Sequence, residues 1–370
     1  MKNIQLKRVQ EANVKNKFVL VRADFNVPLK DNKILDDSRI RAALPTIEYL
    51  LKNNACVILM SHLGRPDGKF VDSLRMDPVA VRLSELLKKP VHKLDDCIGP
   101  EIENDLNSLK YGDVALLENL RFYSEEESND PLFARSLADC ADLYVDDAFG
   151  AVHRAHASIT GVTKYLPSYA GLLVQKEVEN LSRLFEPEHP FTAIIGGAKT
   201  DKLGLIEDLL KTVDYLIIGG LLGNAVLKAH GEKIQVDIDE KTLLGVNKFC
   251  NSKKLVLPVD FAMDKGIASA KDIGPKTIEL IKDIIKKSKT IFWAGPLGVI
   301  EEKQFRKGTY EIAKAIANSK AFTVIGGGTS AEVVFDLKLE KKFSWVSTGG
   351  GASIAFVQGK SLPGLEVLQK

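Results

Sequence analysis

Two kinds of residue gather in short segments of this chain, and each suits a different ligand. Arginine, histidine and asparagine meet in Arg22-Ala23-Asp24-Phe25-Asn26, Ser61-His62-Leu63-Gly64-Arg65, Glu118-Asn119-Leu120-Arg121 and His153-Arg154. Glycine gathers in Gly196-Gly197-Ala198-Lys199, Gly219-Gly220, Gly295-Pro296-Leu297-Gly298, Gly326-Gly327-Gly328 and Gly349-Gly350-Gly351. A guanidinium fork pairs bidentately with carboxylate and phosphate oxygens, so the first set suits a small ligand carrying both. Glycine lets backbone amides close on phosphate oxygens, and a following helix N-terminus adds positive potential, so the second set suits a nucleotide. With a boundary placed near Val174, the first part holds 10 of the 12 arginines and the second 21 of the 28 glycines. The same residues have a plainer use, glycine in tight strand-to-helix turns and arginine in surface solvation. The distribution as a whole, rather than any one motif, favours ligands.

Each segment follows a short β-branched run. Phe18–Arg22, Cys56–Met60, Val114–Leu117 and Leu143–Val145 read as buried strands of the first half. Thr192–Ile195, Tyr215–Ile218, Lys254–Leu257, Thr290–Trp293, Phe322–Ile325 and Ser344–Val346 read as those of the second. Runs this apolar, separated by helical stretches, imply parallel sheets covered on both faces. Such sheets bind ligands beyond the carboxyl ends of their strands, where these segments lie. Lys176–Phe185 reads as one helix between the halves, with Val178, Leu181 and Leu184 on one side and Pro187 and Pro190 marking its end. The expected class is therefore α/β, with two doubly wound parallel-sheet domains joined by that helix.

The 370 residues exceed one ordinary core and suit two or three domains. Net charge is +2, which gives no argument for nucleic acid or an anionic membrane surface. No apolar run is long enough to span a bilayer, and Met1–Gln10 lacks a signal-peptide core. Cys56, Cys97, Cys140 and Cys250 lie far apart and read as free thiols of a cytoplasmic protein. Gly359-Lys360-Ser361 resembles the end of a P-loop, but Ile354 stands where its first glycine belongs. There is no dinucleotide-binding glycine fingerprint, no H-R-D loop to accompany Asp24-Phe25-Asn26, and no nucleophile elbow. His153 and His156 have the spacing of a helical metal pair without a third ligand. Arg22 and Arg41 read as surface or interdomain ion-pair residues, and Asp146 and Asp147 as helix caps or an interdomain contact. Trp293 and Trp345 read as core or cleft wall.

Seven segments together resemble the phosphoglycerate kinases. They are Val19-Leu20-Val21-Arg22-Ala23-Asp24-Phe25-Asn26-Val27-Pro28, Ser61-His62-Leu63-Gly64-Arg65-Pro66, Leu117-Glu118-Asn119-Leu120-Arg121-Phe122, Asp146-Asp147-Ala148-Phe149, Gly196-Gly197-Ala198-Lys199, Gly295-Pro296-Leu297-Gly298-Val299 and Val346-Ser347-Thr348-Gly349-Gly350-Gly351-Ala352-Ser353. They run in family order over nearly the whole chain. The resemblance implies reversible phosphoryl transfer between 1,3-bisphosphoglycerate and ADP, giving 3-phosphoglycerate and ATP, by a monomer using magnesium bound with the nucleotide. It implies a phosphoglycerate-binding domain over 1–174, a nucleotide-binding domain over 175–351 and a tail, 352–370, returning to the first domain, with a hinge between the domains. Carried over by position, Asp24, Phe25, Asn26, Arg39, His62, Leu63, Gly64, Arg65, Arg121 and Arg154 would meet the phosphoglycerate. Gly197, Ala198, Lys199, Lys202, Gly220, Gly274, Gly295, Leu297, Glu301, Gly327, Gly328, Thr329 and Ser330 would meet the nucleotide. Arg39, Lys199, Lys202 and Gly350 would face the moving phosphoryl group, and Asp201 would approach the metal.

Three departures stand out. The loop Gly197-Ala198-Lys199-Thr200-Asp201-Lys202 is one residue shorter between its lysines than the common pattern. Thr329 stands where the family usually has an aspartate, and Ala294 where an asparagine is usual. Magnesium keeps several waters and few protein ligands, so loss of one carboxylate need not abolish binding. Two other readings stay open from the sequence: a divergent binding protein that has lost turnover, and an unrelated acid-phosphate transferase.

Overall fold

The computed structural model describes residues 4–197, 202–233, 237–264 and 267–370. The expected metal ligand Asp201, together with Ala198 and Lys199, lies outside the described residues.

The β-branched runs form two six-stranded sheets, each parallel throughout. The first comprises β1 (Phe18–Arg22), β2 (Cys56–Met60), β3 (His92–Lys93), β4 (Val114–Leu116), β5 (Leu143–Asp146) and β6 (Ser168–Ala170), in the order β3-β4-β2-β1-β5-β6. The second comprises β7 (Phe191–Ile195), β8 (Tyr215–Ile218), β9 (Leu255–Val256), β10 (Thr290–Ala294), β11 (Phe322–Gly326) and β12 (Trp345–Val346), in the order β9-β8-β7-β10-β11-β12. All ten strands expected from the sequence are present. The two further strands of these sheets, β3 and β6, are the edges of the first, and two antiparallel hairpins, Leu29–Lys30 with Lys33–Ile34 and Phe261–Asp264 with Ile267–Ile273, lie outside both sheets. In both sheets the order reverses direction in the middle, which is the doubly wound arrangement. Every residue of β2, β7 and β10 is buried, as continuous apolar runs covered on both faces should be.

The helices that matter for the sites are α1 (Ser38–Lys52), α2 (Asp77–Leu87), α3 (Leu172–Ser182), α4 (Gly220–Ala229), α5 (Pro275–Lys287), α6 (Lys307–Ala317), α7 (Gly328–Asp336) and α8 (Gly351–Val357). On α1, Ile40, Ala43, Ile47 and Leu50 recur on one side and enter the core formed by Val19, Val21, Val57 and Leu59. On α5, Ile278, Ile281 and Ile285 do the same against Ile291 and Trp293.

The chain divides into two units, Asn3–Glu179 with Ser361–Lys370, and Asn180–Lys360. The first division falls inside α3, after the expected 174. The second falls after the expected 351, because α8 packs within the second unit against the helix Leu203–Leu209. Ser361–Lys370 is threaded into the first unit. Lys7 N–H donates to Leu368 O (2.8 Å), Gly364 N–H to Val152 O (2.9 Å) and Lys370 N–H to Gln5 O (2.9 Å). Among the described residues no helix is long and apolar enough to cross a membrane.

Two half-sites at the carboxyl edges of the sheets

In the first sheet Arg22 is in register with Met60 on one side and Asp146 on the other, and Leu59 with Leu116. The segments after these strands therefore emerge side by side, and they are the four basic segments of the sequence. Backbone and side chains then tie them together. Phe25 N–H donates to Ser61 Oγ (2.9 Å), and Gly64 N–H to Asn26 Oδ1 (2.9 Å). Asn119 is buried and fully used: its Oδ1 accepts from Leu63 N–H and Arg121 N–H (both 3.1 Å), and its Nδ2 donates to Leu63 O (2.7 Å) and Leu74 O (3.0 Å). Glu118, also buried, accepts from Met76 N–H and Asn119 N–H (both 2.8 Å) and pairs with Lys93.

On this frame sit the cations. Arg39, at the start of α1, donates to Asp24 Oδ2 (2.6 Å), and Asp24 Oδ1 accepts from Asn26 N–H (3.2 Å). Arg121 donates to Gly64 O (2.9 Å) and approaches Glu127 (3.0 Å). Arg154 Nε donates to His153 Nε2 (3.3 Å), and Arg65 is exposed. Burial and the Arg154 charge push the Arg121 guanidinium below its ordinary value, and burial, Arg22 and Arg65 do the same to Arg154 against the opposing pull of Glu127. His62 falls well below the usual imidazole range, by burial first and then by Arg22, Arg121, Arg154 and Arg39. Neighbouring cations and burial thus lower all three groups, while Glu127 opposes the shift at Arg121 and Arg154.

Several sequence readings change here. Arg22 is not a surface residue: it is 1% exposed and belongs to the buried frame. Arg41 does lie at the surface, paired with Asp37 (2.8 Å). His153 and His156 are not on a helix, and among the described residues no group of three His, Cys, Asp or Glu could hold a metal. Asp147 caps α3, accepting from Leu173 N–H (2.8 Å) and Val174 N–H (3.3 Å), and Asp146 accepts from Ala148 N–H (2.9 Å). Burial raises their carboxyls to about 7 and about 6. The frame residues Asn119, Ser61 and Glu126 were not singled out from the sequence. Asn119 at least had a signal, a polar residue between a strand and an arginine.

In the second sheet Ile195 is in register with Ile218 and Ala294, and Ala294 with Gly326. The glycines that follow divide into two kinds. Gly196, Gly197, Gly219, Gly220 and Gly295 belong to loops stitched to one another. Gly197 N–H donates to Pro296 O (2.7 Å), Gly220 N–H to Leu297 O (3.3 Å) and Leu221 N–H to Gly197 O (3.1 Å). A Cβ on Gly196 would stand 2.0 Å from Pro296 O, and one on Gly220, at φ +60°, 2.7 Å from Gly197 O. The protein itself requires these glycines. Gly274 is similar: its Cβ would strike Asp260, whose carboxylate caps α5 at Lys276 N–H and Thr277 N–H. Leu297 is buried, and its N–H donates to Thr309 Oγ1 (3.0 Å).

Gly327, Gly328, Gly350 and Gly351 are different, because a Cβ on any of them would meet no atom of the described residues beyond its own stretch of chain within 4 Å. Gly327 and Gly350 have φ of +86° and +54°, which accounts for them. Gly328 and Gly351 have neither crowding nor a left-handed backbone, and they open α7 and α8. Ser330 is buried, and its hydroxyl accepts from Gly295 N–H (2.5 Å), so it anchors a neighbouring loop. Thr329 and Glu301 are exposed. Lys202 Nζ donates to Gly196 O (2.7 Å) and Ala294 O (3.0 Å), across the ends of β7 and β10. Trp293 is core, with Nε1–H donating to Gly295 O (2.8 Å).

Comparison with known proteins adds an independent line. The family model described as phosphoglycerate kinase matches residues 9–360. The phosphoglycerate kinase of Dictyoglomus turgidum is 52% identical over 98% of this chain and 98% of its own. That of Moorella thermoacetica is 48% identical over 97% and 98%. Among solved structures, phosphoglycerate kinase from Pyrococcus horikoshii superposes with a TM-score of 0.87 at 32% identity, and that from Coxiella burnetii with 0.84 at 36%, each covering 98% of both chains.

Proposed function

The chain belongs to the phosphoglycerate kinase family, and from that premise we propose how its own residues divide the reaction. The enzyme transfers a phosphoryl group reversibly between 1,3-bisphosphoglycerate and ADP, giving 3-phosphoglycerate and ATP. A carboxylate nucleophile is already ionised at neutral pH, so no general base is needed. What the protein must supply is orientation and charge neutralisation.

In our reading the segments after β1, β2, β4 and β5 hold the phosphoglycerate, with Asp24, Asn26, Arg39, His62, Arg65, Arg121 and Arg154 meeting it and Phe25, Leu63 and Gly64 shaping the pocket. The observation that carries this is the convergence of basic side chains on the adjacent ends of those strands. His62 is lowered by burial and then by Arg22, Arg121, Arg154 and Arg39, Arg121 by burial and Arg154, and Arg154 by burial, Arg22 and Arg65, and a bound polyanion would offset that repulsion. Arg39 spends one N–H on Asp24 and keeps further donors for the transferring group.

The nucleotide phosphates are assigned to the first turn of α7, where Gly327, Gly328 and Thr329 leave amides and open space, with Gly350 beside α8 in the same role. Gly197, Gly220, Gly274, Gly295, Leu297 and Ser330 act behind that surface by holding the loops, and exposed Glu301 is kept for the ribose hydroxyls. Lys202, now on two strand-end carbonyls, and Lys199 are the proposed phosphate cations. Family members use magnesium with the nucleotide, where it neutralises phosphate charge. The absence of a carboxylate cage among the described residues suits an ion carried on phosphates and water, with Asp201 as its one proposed protein approach.

The test is a coupled assay with Mg-ATP and 3-phosphoglycerate on wild type and Arg39→Ala. Because Arg39 is assigned to the transition state, kcat should fall at least ~100-fold while ADP affinity stays within about twofold. An unchanged kcat would remove Arg39 from the chemistry.

A further inference from the structure

Arg22 ends β1 under the phosphoglycerate pocket, with Nη2 3.9 Å from Glu126 Oε1, and its hydrogen bonds run in a chain whose directions the side-chain chemistry fixes. Glu126 is fully buried on the short helix Ser124–Ser128 and accepts from Ser158 N–H (2.9 Å) and Ser158 Oγ–H (2.6 Å). Burial alone would raise its carboxyl, but His156, Arg22 and Ser158 outweigh that and hold it below the ordinary value, so it is an acceptor only. The Ser158 proton is therefore spent on Glu126, and its oxygen is free to accept from Arg22 Nε–H (2.8 Å). Arg22 Nη1–H is spent on Ala23 O (2.5 Å). Arg22 Nη2–H meets His62 Nδ1 at 3.1 Å. A guanidinium has no lone pair to offer, so Nδ1 must be the acceptor and the ring proton must sit on Nε2.

The remaining charged groups facing the ring agree with a neutral state. Arg39 from α1, Arg121 from the segment after β4 and Arg154 from the segment after β5 are all cations, and Asp24 is already engaged by Arg39. Nε2 has no protein partner among the described residues. With the proton on Nε2 the ring offers an anion a donor. In the other tautomer it would offer a lone pair, and the sign of the interaction would reverse.

We infer that Arg22 is a positioning residue: by donating to His62 Nδ1 it fixes the imidazole as an Nε2–H donor toward the carboxylate or phosphate oxygens of the bound phosphoglycerate. This rests on the substrate reading of the pocket given above. The Glu126–Ser158 pair in turn holds Arg22, so a carboxylate with no place in the pocket sets the tautomer of a residue that faces the ligand.

The experiment is a two-bond proton–nitrogen NMR correlation on the full chain labelled at histidine nitrogen, followed between about pH 6 and 8, where an ordinary imidazole titrates. Wild-type His62 should stay neutral with the proton on Nε2; a charged ring or an Nδ1–H tautomer overturns the inference. Arg22→Met removes the donor and should free the tautomer while burial and the other arginines keep the ring neutral, and should weaken 3-phosphoglycerate binding roughly tenfold to hundredfold. Arg22→Lys keeps a donor and should keep both the tautomer and most of the affinity. If Arg22→Met lost affinity with the tautomer unchanged, Arg22 would be acting through its own charge and the inference would fall. Should Arg22→Met not fold, the wild type and Arg22→Lys still decide, since an Nδ1–H ring in either overturns it. A wild-type chain with the expected tautomer but no affinity for 3-phosphoglycerate would instead overturn the substrate reading, and with it the ligand named here.

Discussion

Gly328→Ala separates what the fold needs from what a nucleotide needs. Gly328 opens α7, its backbone is not left-handed, and a Cβ there would meet no atom of the described residues beyond its own stretch of chain within 4 Å. Alanine at such a site loses less chain entropy on folding, so the variant should gain about 0.4–1 kcal/mol in stability, or roughly 1–4 °C in melting temperature for a unit of this size. If the proposed placement of the nucleotide phosphates holds, its methyl would crowd a phosphate oxygen that comes to about 2.9 Å from an amide nitrogen of that turn. Losing one charge-assisted hydrogen bond costs about 1.5–3 kcal/mol, or about 10- to 150-fold in the dissociation constant of ADP. Gly196→Ala is the contrast: its Cβ would lie 2.0 Å from Pro296 O, so it should lose stability before binding is ever in question. Thermal unfolding without ligand and calorimetric titration with ADP read the two effects separately. If Gly328→Ala were more stable and bound ADP as the wild type does, the first turn of α7 would not be the phosphate cradle. If it were less stable, the glycine would serve the fold.

The remaining predictions concern the frame around the sites. Asp147 ionises at about 7 in the folded protein against an ordinary 3.8, so between those values the folded state holds the extra proton and stability falls as pH rises. Asp147→Asn keeps an oxygen for the α3 cap and should flatten that slope, with a gain of up to about 4 kcal/mol at pH 8, read by urea unfolding at pH 5 and pH 8; an unchanged slope would mean the carboxyl is not the titrating group. Asn119→Ala strands several buried partners at once and should cost at least ~3 kcal/mol while raising the KM for 3-phosphoglycerate, because the loops carrying His62 and Arg121 lose their common brace. A soluble variant with wild-type stability and KM would show that the brace is redundant. Thr329→Asp places a carboxylate on the exposed first turn of α7. It should tighten Mg-ADP binding several-fold and weaken ADP binding in the presence of chelator, by bridging in one case and by repulsion in the other. Equal shifts under both conditions would count against a metal near that turn.

The strands of both sheets were legible because buried parallel strands are continuous apolar runs. The two that were not, His92–Lys93 and Ser168–Ala170, are sheet edges of two and three residues with mixed polarity, too short for any periodicity to register. Helix α3 begins at Leu172 rather than Lys176 for a different reason. Its first amides are capped by Thr46 and Asp147, which are remote in sequence, so the start signal was not local. The basic segments at the strand ends were readable as a set, but Arg22 was misplaced, since a buried guanidinium and a surface one look alike in a sequence. Glu126 was invisible for the same reason. It lies in Ser124-Glu125-Glu126-Glu127-Ser128, which reads as a solvated charge run, and its partners Ser158, His156 and Arg22, remote in sequence, meet one of three glutamates turned inward. Among the glycines, the sequence marked loops at the strand ends without distinguishing the ones the backbone demands from the ones left open.

The threading of Ser361–Lys370 into the first unit has a consequence for biosynthesis. The second unit is one uninterrupted stretch, whereas the first is begun by Asn3–Glu179 and finished only by residues made after the second is complete. At ~5–20 residues per second, the ribosome needs roughly 10–40 s between releasing Glu179 and reaching Ser361. Throughout that interval Lys7 lacks its acceptor on Leu368, and Val152 and Ile159 lack the close cover of Gly364. The nascent chain therefore matures out of order, with the later-synthesised unit able to fold while the earlier one still waits for its last strand contact.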